Sequence, residues 1–229
     1  MTLPLEGRLA LVTGASRGIG RASALALAEL GADLILVARP RSTSSLEDLD
    51  DKITAMGRKA TLVPMDLADH DAIDRLGGAV FERWGKLDIL LANAALLGPI
   101  SPLDHIDVKE WEKLVSVNFT ANWRLIRSLN PLLKLGTDPR ALFVTTGAVG
   151  KHKPYWGAYA ATKAGMEELV LTYAGETKIS GIKVNLLDPG ATATTMRANA
   201  VPGEDPSTLP QPADVAKCVA YMLTDFAGT

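Results

Sequence analysis

A chain of 229 residues with 22% charged and 47% apolar side chains has the balance of a globular protein that can bury a substantial core. A formal charge of −2 gives no electrostatic ground for a nucleic-acid or anionic-membrane partner, and one cysteine excludes an internal disulfide. Met1 to Arg8 carries neither a basic n-region nor an apolar h-region, and no apolar run approaches the roughly 20 residues of a membrane span, so cytoplasmic residence is the expectation.

In chain order, short apolar runs alternate with amphipathic stretches. Leu9–Thr13 reads as a strand and is followed by a glycine-rich turn and a helix over 18–30. Leu34–Ala38 is the second strand, with a helix over 44–57, and Thr61–Met65 the third, with a helix over 69–84. Ile89–Ala92 precedes a long helix over 108–135, and Leu142–Thr146 precedes another over 156–178. Lys183–Leu187 is the sixth strand, and a last helix falls near 212–224. The strands are continuous apolar runs such as Leu34-Ile35-Leu36-Val37, the pattern of strands covered on both faces by helices. Strand–helix alternation with right-handed crossovers predicts an α/β, doubly wound, Rossmann-like parallel sheet of order 3-2-1-4-5-6, with the glycine turn at its crossover.

No repeat, charge block or interdomain linker interrupts residues 1–229, which read as a single domain. The irregular stretch 191–212, rich in Pro, Gly and Thr, is the expected substrate-side loop. Cys218 lies in the periodic run Val215 to Leu223 and is expected in the core. His70, His105 and His152 are scattered, without metal-ligand spacing, and are expected at the surface; no metal site is predicted.

The turn reads Thr13-Gly14-Ala15-Ser16-Arg17-Gly18-Ile19-Gly20 and runs straight into a helix. Glycines let the backbone turn tightly and approach a pyrophosphate, while the helix start supplies free N–H groups and partial positive charge. This spacing resembles the short-chain dehydrogenase/reductase superfamily, and further matches follow in order. They are Asp66-Leu67 after the third strand, Asn93-Ala94-Ala95 after the fourth, Asn118 within a helix, Tyr159-Ala-Ala-Thr-Lys163, and Pro189-Gly190 after the sixth strand. The resemblance implies a cofactor site built from Gly14, Ser16, Arg17, Gly18, Ile19, Gly20, Arg39, Asp66, Leu67, Asn93, Ala94, Tyr159, Lys163, Pro189, Gly190 and Thr192. It implies contact of Asp66-Leu67 with adenine, and of Lys163 with the nicotinamide ribose. Asn118 would order a water through its backbone carbonyl.

Cofactor type follows from charge. The second strand ends Val37-Ala38-Arg39, with no carboxylate to receive the ribose hydroxyls of NAD until Glu47. Arg39 and Arg17 can converge on a 2′-phosphate through guanidinium forks, so NADP(H) is the preferred cofactor, with NAD(H) possible.

Tyr159 and Lys163 stand four apart on one helix face. A neighbouring ammonium and the positively charged oxidised nicotinamide should both lower the phenol's pKa from its ordinary value near ~10, so that Tyr159 transfers the proton in carbonyl reduction or alcohol oxidation. The family's serine, which hydrogen-bonds the substrate oxygen, has no counterpart in Phe143-Val144-Thr145-Thr146-Gly147-Ala148. Counting back from Tyr159 assigns its role to Thr146; anchoring on Gly150 lands on Gly147 instead. Leu96, Leu97, Tyr155, Trp156 and Met196 would line an apolar substrate pocket. The family's seventh strand would follow Phe226-Ala-Gly-Thr229, so the chain either lacks it or is truncated. The expected protein is an NADP-preferring oxidoreductase of a small carbonyl or alcohol, and a homodimer or homotetramer through the helices over 108–135 and 156–178. The alternatives are a non-catalytic cofactor-binding sensor or scaffold, and a lyase or epimerase with bound cofactor.

Overall fold

In the computed structural model, residues 3–224 are described. Six strands form one sheet: β1 (Leu9–Thr13), β2 (Asp33–Ala38), β3 (Ala60–Pro64), β4 (Ile89–Ala92), β5 (Arg140–Val144) and β6 (Lys183–Leu187). All neighbouring pairs are parallel, in the order β3-β2-β1-β4-β5-β6, as the alternation predicts. The chain leaves β1 between β2 on one side and β4 on the other, so Gly14 stands at the carboxyl edge where the winding reverses.

Helices cover both faces. On one side α1 (Gly18–Glu29), α2 (Thr43–Ala55) and α8 (Pro212–Met222) bury a core that includes Val12, Leu27, Leu36, Leu46, Ile53, Leu142 and Val219. On the other, α3 (His70–Trp84), α4 (Val108–Val115), α5 (Ala121–Leu133) and α6 (Gly157–Glu176) close over Leu11, Ile35, Leu90, Phe143, Leu125, Met166 and Val170. Strand residues alternate between these two cores, which is why the strands read as unbroken apolar runs. Helix ends carry local signals. The Asp69 carboxylate caps α3 by accepting from Ala72 N at 3.0 Å, and Gly85 closes it at φ 71°.

Several boundaries differ from expectation. β5 spans Arg140–Val144, two residues before the expected Leu142–Thr146. Its first residue is a charged side chain only 2% exposed, held by Asp138 Oδ2 at 2.7 Å. The expected continuous helix over 108–135 divides into α4 and α5 around a π-turn at Ser116–Thr120, which contains Asn118. The stretch 191–212 holds a short helix, α7 (Thr195–Ala200). Cys218 is exposed, not in the core: α8 turns Val215, Ala216 and Val219 inward, and Cys218 falls on the opposite face. The segment Phe226–Thr229, where the seventh-strand question arose, lies outside the described residues. No helix among the described residues is long and apolar enough to cross a membrane.

Candidate active site

A cleft of about 540 Å³ opens along the carboxyl edge of the sheet. The glycine turn forms one wall. Gly14 and Gly18 adopt φ of 69° and 56°, and the Cβ of any other residue at Gly14 would stand 3.0 Å from the Ala94 backbone. Gly20 does not line the cleft; it is a packing glycine. A Cβ there would lie 2.3 Å from the Gly14 carbonyl and 2.5 Å from Asn93 Nδ2. Thr13 fastens the opposite wall, its hydroxyl accepting from the N–H groups of Asn93 and Ala94 at 3.0 and 3.1 Å.

Of the expected cofactor set, Gly14, Ser16, Arg17, Gly18, Ile19, Arg39, Asp66, Leu67, Asn93, Ala94, Tyr159, Lys163, Pro189, Gly190 and Thr192 all line this cleft. So do Leu96, Leu97, Trp156 and Met196 of the expected substrate pocket. Tyr155 does not: at φ 71° its side chain turns outward and is 58% exposed. Asn118 is fully buried behind the cleft. Its side chain accepts from Leu96 N and donates to Leu96 O, both at 2.8 Å, and also donates to Thr162 Oγ1 at 3.2 Å. The widened π-turn presents its backbone carbonyl, which accepts from Asn122 Nδ2 at 2.8 Å.

At the end of the cleft beside β5, Tyr159 and Lys163 lie on α6, 7% and 3% exposed. Lys163 Nζ donates to the Val144 carbonyl at 2.7 Å. Burial brings its ammonium down to about 8, against an upward pull from the Glu167 carboxylate. The expectation that Lys163 depresses the Tyr159 phenol is not met. Burial pushes the phenol above its ordinary value, the Thr146 hydroxyl beside it pulls downward, and the Asp188 carboxylate adds to the upward push. The lysine is turned to Val144 instead. Two adjacent threonines divide in role: Thr146 stands beside Tyr159, whereas Thr145 donates its hydroxyl to Glu167 Oε1.

At the far end, Arg39 carries Arg41 as well as Arg17 as neighbours. Burial and these two cations hold the Arg39 guanidinium below its ordinary value, with Asp66 opposing them. Sequence reading missed Arg41, two residues past Arg39, together with Ser42 and Ser45 on the same wall. The Val144 carbonyl and Glu167 were missed as well. The histidines are unrelated to the cleft: His105 and His152 are exposed, and the half-buried His70 meets Ser116 Oγ at 2.9 Å. No group of three or more potential metal ligands occurs among the described residues.

The residues present fit a nicotinamide dinucleotide. The first turn of α1 contains no acidic side chain, and its N-cap residue, Arg17, makes no side-chain cap, so its N–H groups face the cleft unmet by carboxylate. Gathered arginines of like charge at one end call for an anion, and a buried ammonium at the other calls for oxygen acceptors.

The sequence model of the family described as short chain dehydrogenase matches residues 8–205. The chain belongs to the short-chain dehydrogenase family. It is 35% identical over 225 residues to an uncharacterized oxidoreductase of Escherichia coli K12, covering 96% of this chain and 88% of that one. It is also 35% identical over 206 residues to an uncharacterized NAD-dependent oxidoreductase of Mycobacterium tuberculosis, covering 84% and 74%. Among solved structures, a chain described as a short chain dehydrogenase from Escherichia coli CFT073 complexed with NADPH superposes with a TM-score of 0.93. That chain is 33% identical, with 99% of this chain and 95% of that one covered.

Proposed function

We propose that the protein reduces a small carbonyl compound, or oxidises the corresponding alcohol, with NADP(H) as cofactor and Tyr159 as the proton-transfer group. The observation that carries this reading is the buried pair Tyr159 and Lys163, with the half-buried Thr146 beside Tyr159, at one end of a dinucleotide-sized cleft. When bound, the nicotinamide supplies or accepts the hydride. The phenol, pushed up by burial, carries its proton at neutral pH and donates it from Oη to the carbonyl oxygen. Thr146 donates a second hydrogen bond to that oxygen as negative charge develops. Lys163, an ammonium below about 8, offers N–H donors to ribose hydroxyls. Leu96, Leu97, Trp156 and Met196 give the substrate side an apolar wall, which suits a carbonyl on a hydrophobic body.

NADP preference is supported by Arg17, Arg39 and Arg41 at one end of the cleft, and by the NADPH bound in the similar Escherichia coli chain. Self-association through α5 and α6 is part of the same reading. Trp123 and Leu171 on these helices are 44% and 58% exposed, a large apolar area for a solvated face. The test is NADPH oxidation at 340 nm with a panel of aldehydes, ketones and diketones. Wild type is expected to turn over at least one, and Tyr159→Phe to lose turnover while keeping NADPH affinity. A phenylalanine variant with near-normal turnover refutes the mechanism. Cofactor binding without turnover of any carbonyl favours a sensor instead.

A further inference from the structure

Three consecutive residues at the end of β5 meet three residues spaced by four on α6. The Val144 carbonyl accepts from Lys163 Nζ at 2.7 Å, the Thr145 hydroxyl donates to Glu167 Oε1, and the Thr146 hydroxyl stands beside Tyr159. Tyr159, Lys163 and Glu167 occupy positions i, i+4 and i+8 of one helix face. The first two belong to the reaction proposed above; the third does not enter the cleft. Thr145 is itself nearly buried, at 7% exposure, and its N–H donates to the Leu187 carbonyl of β6 at 2.8 Å. Thr145 is therefore fixed to the sheet through its backbone and to α6 through its side chain.

We propose that Glu167 is a positioning residue: by gripping Thr145, it sets the Val144 carbonyl and the Thr146 hydroxyl opposite Lys163 and Tyr159. The inference rests on the proposed reaction for its kinetic consequence, but its geometry concerns the chain alone. Threonine's hydroxyl has a short lever, so loss of its acceptor lets the strand end swing by an angle that displaces both neighbours. The carboxylate has a second effect of the same sign. It lies one helical turn from a buried ammonium whose one hydrogen-bond acceptor among the described residues is a neutral carbonyl, and it favours the charged form.

The experiment compares Glu167→Ala, Glu167→Gln, Thr145→Val and the double variant Thr145→Val with Glu167→Ala. Because misplacement of the reacting groups slows chemistry more than binding, each single deletion is expected to lower kcat about tenfold and to change the NADPH dissociation constant less than about threefold. The double variant is expected to lose no more than either single, since one contact is removed twice. Glu167→Gln keeps an acceptor oxygen and is expected to fall between wild type and alanine.

A second readout needs no turnover. Tyrosine labelled with carbon-13 at Cζ gives signals from the four tyrosines, and Tyr159→Phe assigns the relevant one. In unliganded protein the Tyr159 signal is expected to move in Glu167→Ala and in Thr145→Val, while the other three stay. Additive kinetic losses, or a Tyr159 signal unmoved in both single variants, overturn the inference. If wild type turns over no carbonyl, the proposed reaction fails, and the carbon-13 comparison alone decides the positioning role.

Discussion

Replacing Lys163 by methionine keeps the length and most of the volume of the side chain and removes its charge. The lysine is 3% exposed, and burial brings its ammonium from the ordinary 10.5 to about 8. At about 1.4 kcal/mol per pH unit, that gap means the charged group costs the folded state roughly 3 kcal/mol at pH 7. The sign follows from proton counting. Between about 8 and 10.5 the unfolded chain binds the proton and the folded chain does not, so this destabilisation is complete below about 8 and fades as pH rises through 10.5. Methionine also abandons the Val144 carbonyl, a loss of about 1–3 kcal/mol that does not depend on pH. The net change at pH 7 is therefore small, and the informative quantity is its slope. Relative to wild type, Lys163→Met is expected to lose about 2 kcal/mol between pH 7 and pH 9.5, because wild type gains stability over that interval. Urea unfolding at the two pH values, followed by tryptophan fluorescence, measures it. A wild-type-minus-variant difference that is flat with pH refutes the burial argument.

Losing charge-assisted contacts to a 2′-phosphate should cost on the order of 1.5–3 kcal/mol, so Arg17→Ala with Arg39→Ala is expected to erase a preference for NADP over NAD. Equal wild-type dissociation constants for the two cofactors, measured by calorimetry, refute the assignment. Thr146→Val is expected to lower kcat by about 10²–10³ and Thr146→Ser to leave it near normal, since only the first removes the donor to the substrate oxygen. Harmless Thr146→Val leaves the serine role vacant. Light scattering at micromolar concentration is expected to give at least twice the 24.3 kDa monomer mass. A monomer alone refutes association through α5 and α6.

That the sheet is covered on both faces was legible in unbroken apolar runs such as Leu9–Val12 and Leu34–Ala38, the pattern of buried parallel strands. What escaped depends on contacts between distant residues or on backbone twists without a sequence signature. Arg140 is hidden as a strand residue because charge argues against burial, yet Asp138 lies 2.7 Å away and satisfies it. The π-turn at Ser116–Thr120 leaves the apolar period almost intact, so Asn118 could be named while the local geometry that presents its carbonyl could not. Tyr155 was expected in the pocket on the family architecture, and a positive φ sends it the other way. Counting back from Tyr159 reached Thr146, but the hold of Glu167 on Thr145, across 22 residues, leaves no trace in such a count.

The charged groups of the cleft also strain it. Lys163 is charged in a place that disfavours charge, and Arg39 carries two cationic neighbours that lower its own proton affinity. The first turn of α1 keeps its N–H groups clear of any carboxylate. These lie along one cleft on the carboxyl edge of the sheet, whereas the opposite edge shows the reverse habit. There Asp88, fully buried, receives Lys86 at 2.9 Å and the N–H groups of Leu9 and Thr137 at 2.8 and 2.6 Å. The buried carboxylate of the amino edge is therefore satisfied within the chain, whereas the start of α1 and the Arg39 group leave room for phosphate oxygens from outside. An unmet helix start and an arginine group call for phosphates, and a buried ammonium calls for hydroxyl or carbonyl oxygens. A single molecule long enough to reach all three relieves every one of these costs at once, and its binding energy becomes folding energy in proportion to its concentration over its dissociation constant. On this argument the dinucleotide is as much a part of the cleft's stability as of its chemistry. The arginine end, which adds repulsion whenever no phosphate is present, is where that dependence should be strongest.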